Sequence, residues 1–213
     1  MLTTAFYLFF QTVKVAGLLQ ANVYPVVTGF IAFCAMVVIL LMVLRLIFNY
    51  TDPNPFGLIG RFAFKIKKLT DKFVYPIAKF LAERRINTKL APLIAMLGFI
   101  VIAYFTSQLF FYFFFAIDNV IFGIQTASIT KVVGGILFGI LGIYSLLIVF
   151  RIILSWIMSY TNKVLQFLMR LTDPVLEPFR KLIPSFGMFD LSPIIVLLIL
   201  NFLQMAVQGV LLR

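Results

Sequence analysis

The sequence has no histidine, one cysteine and one tryptophan among its 213 residues. Without imidazole there is no histidine ligand for haem or zinc, and no side chain whose ordinary pKa lies near neutrality. Cys34 alone makes no disulfide within the chain and says nothing of redox compartment. Charge is also scarce: 12% of residues are charged, where a soluble domain carries about 25%. Only 7 residues are acidic against 18 basic ones, a net charge of +11. No positive cluster precedes an apolar core at the N-terminus, so no cleavable signal peptide is expected.

What fills the chain instead is apolar: 63% of its residues, more than a water-soluble fold of this size can hide. Four segments are long enough for the roughly 20 residues a bilayer requires. Residues 15–44 are uncharged, and Pro25 places the first helix at about 26–48. Residues 90–117 follow, opening at Pro92, then 132–158, interrupted only by Arg151. The last is 191–212, with Asp190 and Ser192 as capping candidates before Pro193. In residues 1–22, Gln11, Lys14 and Gln20 break the apolar run, which reads as an interfacial or re-entrant segment. The expected fold is an all-α membrane protein with four transmembrane helices. Its parts are a first hairpin at 23–117, an extracytoplasmic connection at 118–131 and a second hairpin at 132–213.

Of the 18 basic residues, 13 fall in segments 49–90 and 159–190, whereas 117–131 holds only Asp118 and Lys131. The asymmetry predicts that both basic segments are cytoplasmic and both termini are not. It also predicts contact with anionic headgroups. No aromatic–basic platform or DNA-reading motif accompanies the charge, which argues against nucleic acid as a partner.

The two halves match. Arg45-Leu-Ile-Phe-Asn-Tyr50 corresponds to Arg151-Ile-Ile-Leu-Ser-Trp156, and Leu69-Thr70-Asp71 to Leu171-Thr172-Asp173. Pro76 and Pro178 each follow the aspartate by five residues, and Leu90-Ala91-Pro92 matches Leu191-Ser192-Pro193. With two spans per copy, this predicts tandem parallel helix–loop–helix repeats. The second copy, with its arginine, Thr172-Asp173-Pro174, Pro178-x-Arg180 and Asp190-x-Ser192-Pro193, closely resembles the signature of the YggT (YlmG) family of bacterial and plastid membrane proteins. The first copy departs from it: Lys72 replaces the proline, Ala78 the arginine and Lys89 the aspartate. The resemblance implies a small, non-enzymatic protein of the bacterial plasma membrane, or of a thylakoid or other photosynthetic membrane. The roles it implies are osmotic tolerance, cell division or nucleoid organisation, and haem attachment to a cytochrome in photosynthetic lineages. No bound cofactor or metal is expected of this chain.

Arg45 and Arg151, near the cytoplasmic ends of their spans, either snorkel to headgroups or pair with Asp71 and Asp173. Thr70-Asp71 and Thr172-Asp173 are also candidate helix N-caps. No second carboxylate or histidine accompanies either aspartate in the motif, so neither is expected to be catalytic. In the first basic segment, Ile59, Phe62, Ile66, Leu69 and Phe73 recur at helical spacing, with Arg61, Lys65, Lys68 and Lys72 on another face and Asn54-Pro55 as the start. That reads as an amphipathic helix on the membrane surface. The second segment shows a weaker version in Leu165, Leu168 and Thr172. Gly135, Gly139 and Gly142 share a face of the third span and suit close helix packing. The run Phe110–Phe115 suits an aromatic belt. These features favour a protein that assembles with membrane partners in a hetero-complex. The alternative is a homo-oligomeric channel or transporter lined by Gln108, Asn201, Gln204 and Gln208.

Overall fold

The computed structural model describes residues 17–51, 57–83, 85–157, 161–182 and 190–212. Among these the α-helices are α1 (Tyr24–Thr51), α2 (Leu58–Glu83), α3 (Ala91–Gln125), α4 (Ile129–Ile157), α5 (Lys163–Leu182) and α6 (Ser192–Val210). A π-helical turn, Leu19–Val23, leads into α1, and a 3₁₀ turn, Thr88–Leu90, leads into α3. Four helical segments are long and apolar enough to cross a membrane: Leu19–Thr51, Thr88–Gln125, Ile129–Ser155 and Ser192–Val210. The shortest, with 19 residues, spans roughly 28 Å at 1.5 Å per residue, close to the hydrocarbon thickness.

The chain forms two compact units. One is Val26–Ser107; the other is Gln108–Arg213 with the segment ending at Pro25. The core of the first gathers Met42 of α1, Val74 and Leu81 of α2, and Ala91 and Ala95 of α3. In the second, Ile148 of α4, Leu176 of α5 and Val196 and Leu200 of α6 pack together, and Leu154 meets Leu165 and Leu168.

Several boundaries differ from the sequence reading. Helix starts near Pro25 as expected, but the chain is already helical from Leu19. Pro25 therefore lies inside a continuous helical segment, Leu19–Thr51, just after the π-helical turn. The wider turn before it is closed by the Tyr24 N–H donating to the Leu19 carbonyl. The earlier part of the 1–22 segment lies outside the described residues.

The 118–131 connection shrinks to residues 126–128, because α3 continues past Asp118 to Gln125 and α4 begins at Ile129. Asp118 does not end the helix: it is buried, and its two carboxylate oxygens accept from the Leu19 and Gln20 N–H groups at 3.2 and 2.8 Å. Lys131 is accommodated in the first turn of α4 with its Nζ 4.3 Å from the Phe122 ring centroid. The turn itself closes on Ala127, whose φ of 51° lets the Ser128 N–H reach back to the Gly123 carbonyl at 2.8 Å.

The helix of the first basic segment is α2, and its buried stripe is Gly60, Ile66, Thr70, Val74 and Leu81. Of the apolar face read from the sequence only Ile66 is buried; Ile59, Phe62, Leu69 and Phe73 are exposed. The helix is turned so that Thr70 rather than Leu69 faces α1. Asn54-Pro55 lie outside the described residues. In α5 the expected stripe of Leu165, Leu168 and Thr172 is buried. Pro76 lies inside α2, and Pro174 and Pro178 inside α5. All three are on the exposed side, where the carbonyls they leave without a helical donor face outward.

Candidate functional site

The same three side chains come together in each unit. Arg45 lies on α1, six residues before its end at Thr51, and it is buried. One guanidinium nitrogen, Nη1, donates to Thr70 Oγ1 at 2.7 Å and to the Lys67 carbonyl at 3.2 Å; Nη2 donates to Asp71 Oδ1 at 2.7 Å. The Thr70 hydroxyl donates in turn to the Ile66 carbonyl at 2.7 Å. A hydroxyl has one proton and two lone pairs, so bonding back to its own helix leaves it free to accept from the arginine.

The second unit repeats this arrangement. Arg151, buried on α4 six residues before Ile157, donates from Nη1 to Thr172 Oγ1 and from Nη2 to Asp173 Oδ1, the latter at 2.6 Å. Thr172 donates to the Leu168 carbonyl at 2.7 Å. The sequence left snorkelling and pairing open; the geometry is pairing. The N-cap reading of the two Thr-Asp dipeptides is corrected, because both lie in the interior of α2 and α5. Mid-helix, their side chains face the preceding span instead of a helix end.

Around Asp173 the site continues. Arg180 donates from Nη1 to Asp173 Oδ1 at 3.1 Å and from Nε to Asp190 Oδ2 at 2.7 Å. Asp190 Oδ1 accepts the Ser192 N–H at 2.9 Å, but the N-cap position of α6 is Leu191 rather than either residue expected from the sequence, with Pro193 in the first turn. The chain of charge Arg151–Asp173–Arg180–Asp190 thus ties α4, α5 and the start of α6 together. Burial pushes the Asp190 carboxyl up, but the hydrogen bonds from Arg180 and Ser192 outweigh it and hold the group below the ordinary carboxylate value. Burial likewise disfavours charge on Arg180, and its two aspartates outweigh that and raise it.

The first unit stops short of this. Ala78 and Lys89 stand where Arg180 and Asp190 would be, and Asp71 is 48% exposed against 36% for Asp173. Capping passes to Asn87, whose Oδ1 accepts the Lys89 N–H at 2.9 Å. Arg45 Nε is buried with no hydrogen-bond partner among the described residues.

Arg61, Lys65, Lys68 and Lys72 are exposed along α2. The glycines of α4 pack inside their own unit. A Cβ on Gly135 would lie 2.7 Å from Asn119 Cβ, one on Gly139 2.7 Å from Ala116 Cβ, and one on Gly142 against the Tyr112 ring. The aromatic run divides: Phe111 meets Tyr24 edge-on and Phe115 lies 4.5 Å from Phe138 between ring centroids, while Phe113 points outward.

Besides the bonds of Arg180, the sequence reading missed other contacts. Tyr144 of α4 donates its hydroxyl to the Leu171 carbonyl of α5 at 3.1 Å, and Asp118 holds the start of the first span. Nothing in the periodicity marks Tyr144; Asp118 was visible only as an isolated charge. Among the described residues no three of histidine, cysteine, aspartate or glutamate come together in a way that would hold a metal ion. Between Asp173 and Asp190 stands the Arg180 guanidinium.

The family model described as CCB3/YggT matches residues 130–211, from the start of α4 to the end of α6. An uncharacterised protein of Haemophilus influenzae is 28% identical over 167 residues, 78% of this chain and 82% of that protein. The YlmG homolog protein 2, chloroplastic, of Arabidopsis thaliana is 41% identical over 70 residues, 33% of this chain and 28% of its own length. The uncharacterised protein YggT of Escherichia coli is 39% identical over 59 residues, 28% of this chain and 31% of its own length. No solved structure matches the chain.

Proposed function

Because residues 130–211 match the CCB3/YggT family model, we propose that the chain is a member of that family and a non-enzymatic integral membrane protein that organises, or assists the assembly of, a larger membrane protein complex. The observation that carries this reading is the repeated arginine–threonine–aspartate clamp. Each clamp joins a span to the helix that follows it, and the exposed side of α2 presents Arg61, Lys65, Lys68 and Lys72. In each unit the helix held in this way makes a platform. Its polar groups are engaged in holding shape, and its basic face meets anionic headgroups on the cytoplasmic side of the membrane. The recurrence of the clamp at Arg45-Thr70-Asp71 and Arg151-Thr172-Asp173 supports a tandem parallel repeat, with the second copy elaborated by Arg180 and Asp190.

The test is mass analysis of the protein purified gently from its native membrane. The expected result is a defined stoichiometric complex containing other membrane proteins, whether this chain enters it as one copy or more. A preparation of this chain alone that conducts ions or small solutes in liposomes would replace the assembly reading with the channel reading, linked to osmotic tolerance.

A further inference from the structure

The outward face of α6 carries a feature that its own unit does not use. Asn201 lies midway along the helix, nine residues from Ser192 and nine from Val210, or about 14 Å from either end. It is exposed, as is Gln208 two turns on. Neither amide has a hydrogen-bond partner among the described residues. Gln204, one turn from Asn201 on the inner side, is buried, and its Nε2 approaches the Phe138 carbonyl of α4 at 3.5 Å. The unit therefore engages its inward amide and leaves two outward ones bare.

An unpaired amide at the middle of a hydrocarbon layer is costly, because neither its donors nor its acceptor find water there. Asn201 does not stand alone. Ile194, Leu198, Asn201, Met205 and Gln208 follow one another at intervals of four, three, four and three residues. The three apolar members are 58%, 54% and 61% exposed. This is the seam spacing of a two-helix coiled coil, with amides at recurring positions of the seam.

We propose that this face of α6 is a homotypic interface on which a second copy of the chain docks, with Asn201 bonded to its counterpart across a two-fold axis. The occupant follows from the chemistry. Two copies inserted the same way run their α6 helices parallel, so a symmetric seam sets each residue beside itself at equal depth. A lysine or aspartate there would face a like charge. A carboxamide is both donor and acceptor and complements its own copy. Such pairs drive helix association in membranes.

This rests on the reading of α6 as a spanning helix, and the experiment keeps the two apart. In a Cys34→Ala background, single cysteines replace Met205 or Leu198 on the seam, or Ile199 off it, in the full chain in native membranes. Single cysteines at Leu191 and Leu212, at the two ends of α6, test the spanning reading: labelling from opposite faces of the membrane is expected, and labelling of both from one face overturns that reading and this inference with it. With α6 spanning, mild oxidation is expected to give a disulfide-linked pair from positions 205 and 198 and little from 199. Asn201→Leu should weaken pairing about tenfold, and Asn201→Gln should retain it. Leucine is favoured over asparagine in hydrocarbon, so the first variant does not threaten insertion. Equal cross-linking from all three positions, none from 205 or 198, or no response to Asn201→Leu would overturn the proposal. So would cross-linking from 205 only to a different protein.

Discussion

A guanidinium within a spanning helix is stable where its donors meet acceptors and its charge meets an opposite charge. Arg151 has both in Thr172 and Asp173, and Asp173 has a second cation in Arg180. Asp173→Ala should therefore lower stability by about 2–4 kcal/mol, because it strands Arg151. Arg151→Leu in the same chain should recover part of that loss. The cycle on Arg45 and Asp71 should show weaker coupling, since Asp71 is more exposed and has no counterpart of Arg180. Thermal aggregation of the four variants in detergent measures both cycles; additive losses would return the arginines to snorkelling. Asp190 adds a pH dependence. Its carboxyl is depressed in the folded chain, so its contribution is complete above the unfolded value of about 4 and is lost as pH falls through the folded one. Asp190→Asn keeps an oxygen for the Ser192 N–H but removes the charge. Between pH 6 and 3 the melting temperature should fall more steeply for the native chain than for this variant. Arg180, raised rather than lowered, loses its contribution only above its unfolded pKa and leaves this range unaffected. The pairing partners were legible because both recur in two copies. The contacts of Arg180 with two aspartates were not, since no local spacing shows which side chains of α5 turn toward α6.

Helix by helix, the four long apolar helices are what hydropathy predicts and the two basic ones are not quite. In α2 the alternation of apolar and basic residues identifies the helix, yet its buried stripe is displaced toward Thr70 and Val74. Periodicity specifies a face only to within the width of the apolar sector. Here that sector is wide, and the hydrogen bond to Arg45 selects one edge of it. In α4 the glycines admit α3 closely, so their substitution acts on the folding of the chain itself. Gly139→Ala should cost about 1–3 kcal/mol, since its Cβ would lie 2.7 Å from Ala116 Cβ and backbone must move. Gly139→Leu should prevent stable folding, whereas Ile140→Leu, at a side chain 58% exposed, should be silent in the same melting assay.

Taken whole, the described residues include four helical segments long and apolar enough to cross a membrane, and 13 of the chain's 18 basic residues fall in the two segments that would share one side. A single cysteine at Thr161 and one at Thr126, each in a Cys34→Ala background, should be labelled from opposite faces of the membrane. An impermeant external reagent that reaches position 161 in intact cells would reverse the topology. The four long apolar helices, the helical class and the resemblance of the second half to the CCB3/YggT family were written in the linear chain, because hydrophobic length and motif spacing are local quantities. The continuation of α3 past Asp118, the helical start at Leu19, the choice of Thr70 over Leu69 and the engagement of Arg180 depended on the folded molecule. Each is decided by a polar group from a distant part of the chain, and a buried donor or acceptor takes whichever partner packing brings within 3 Å or so.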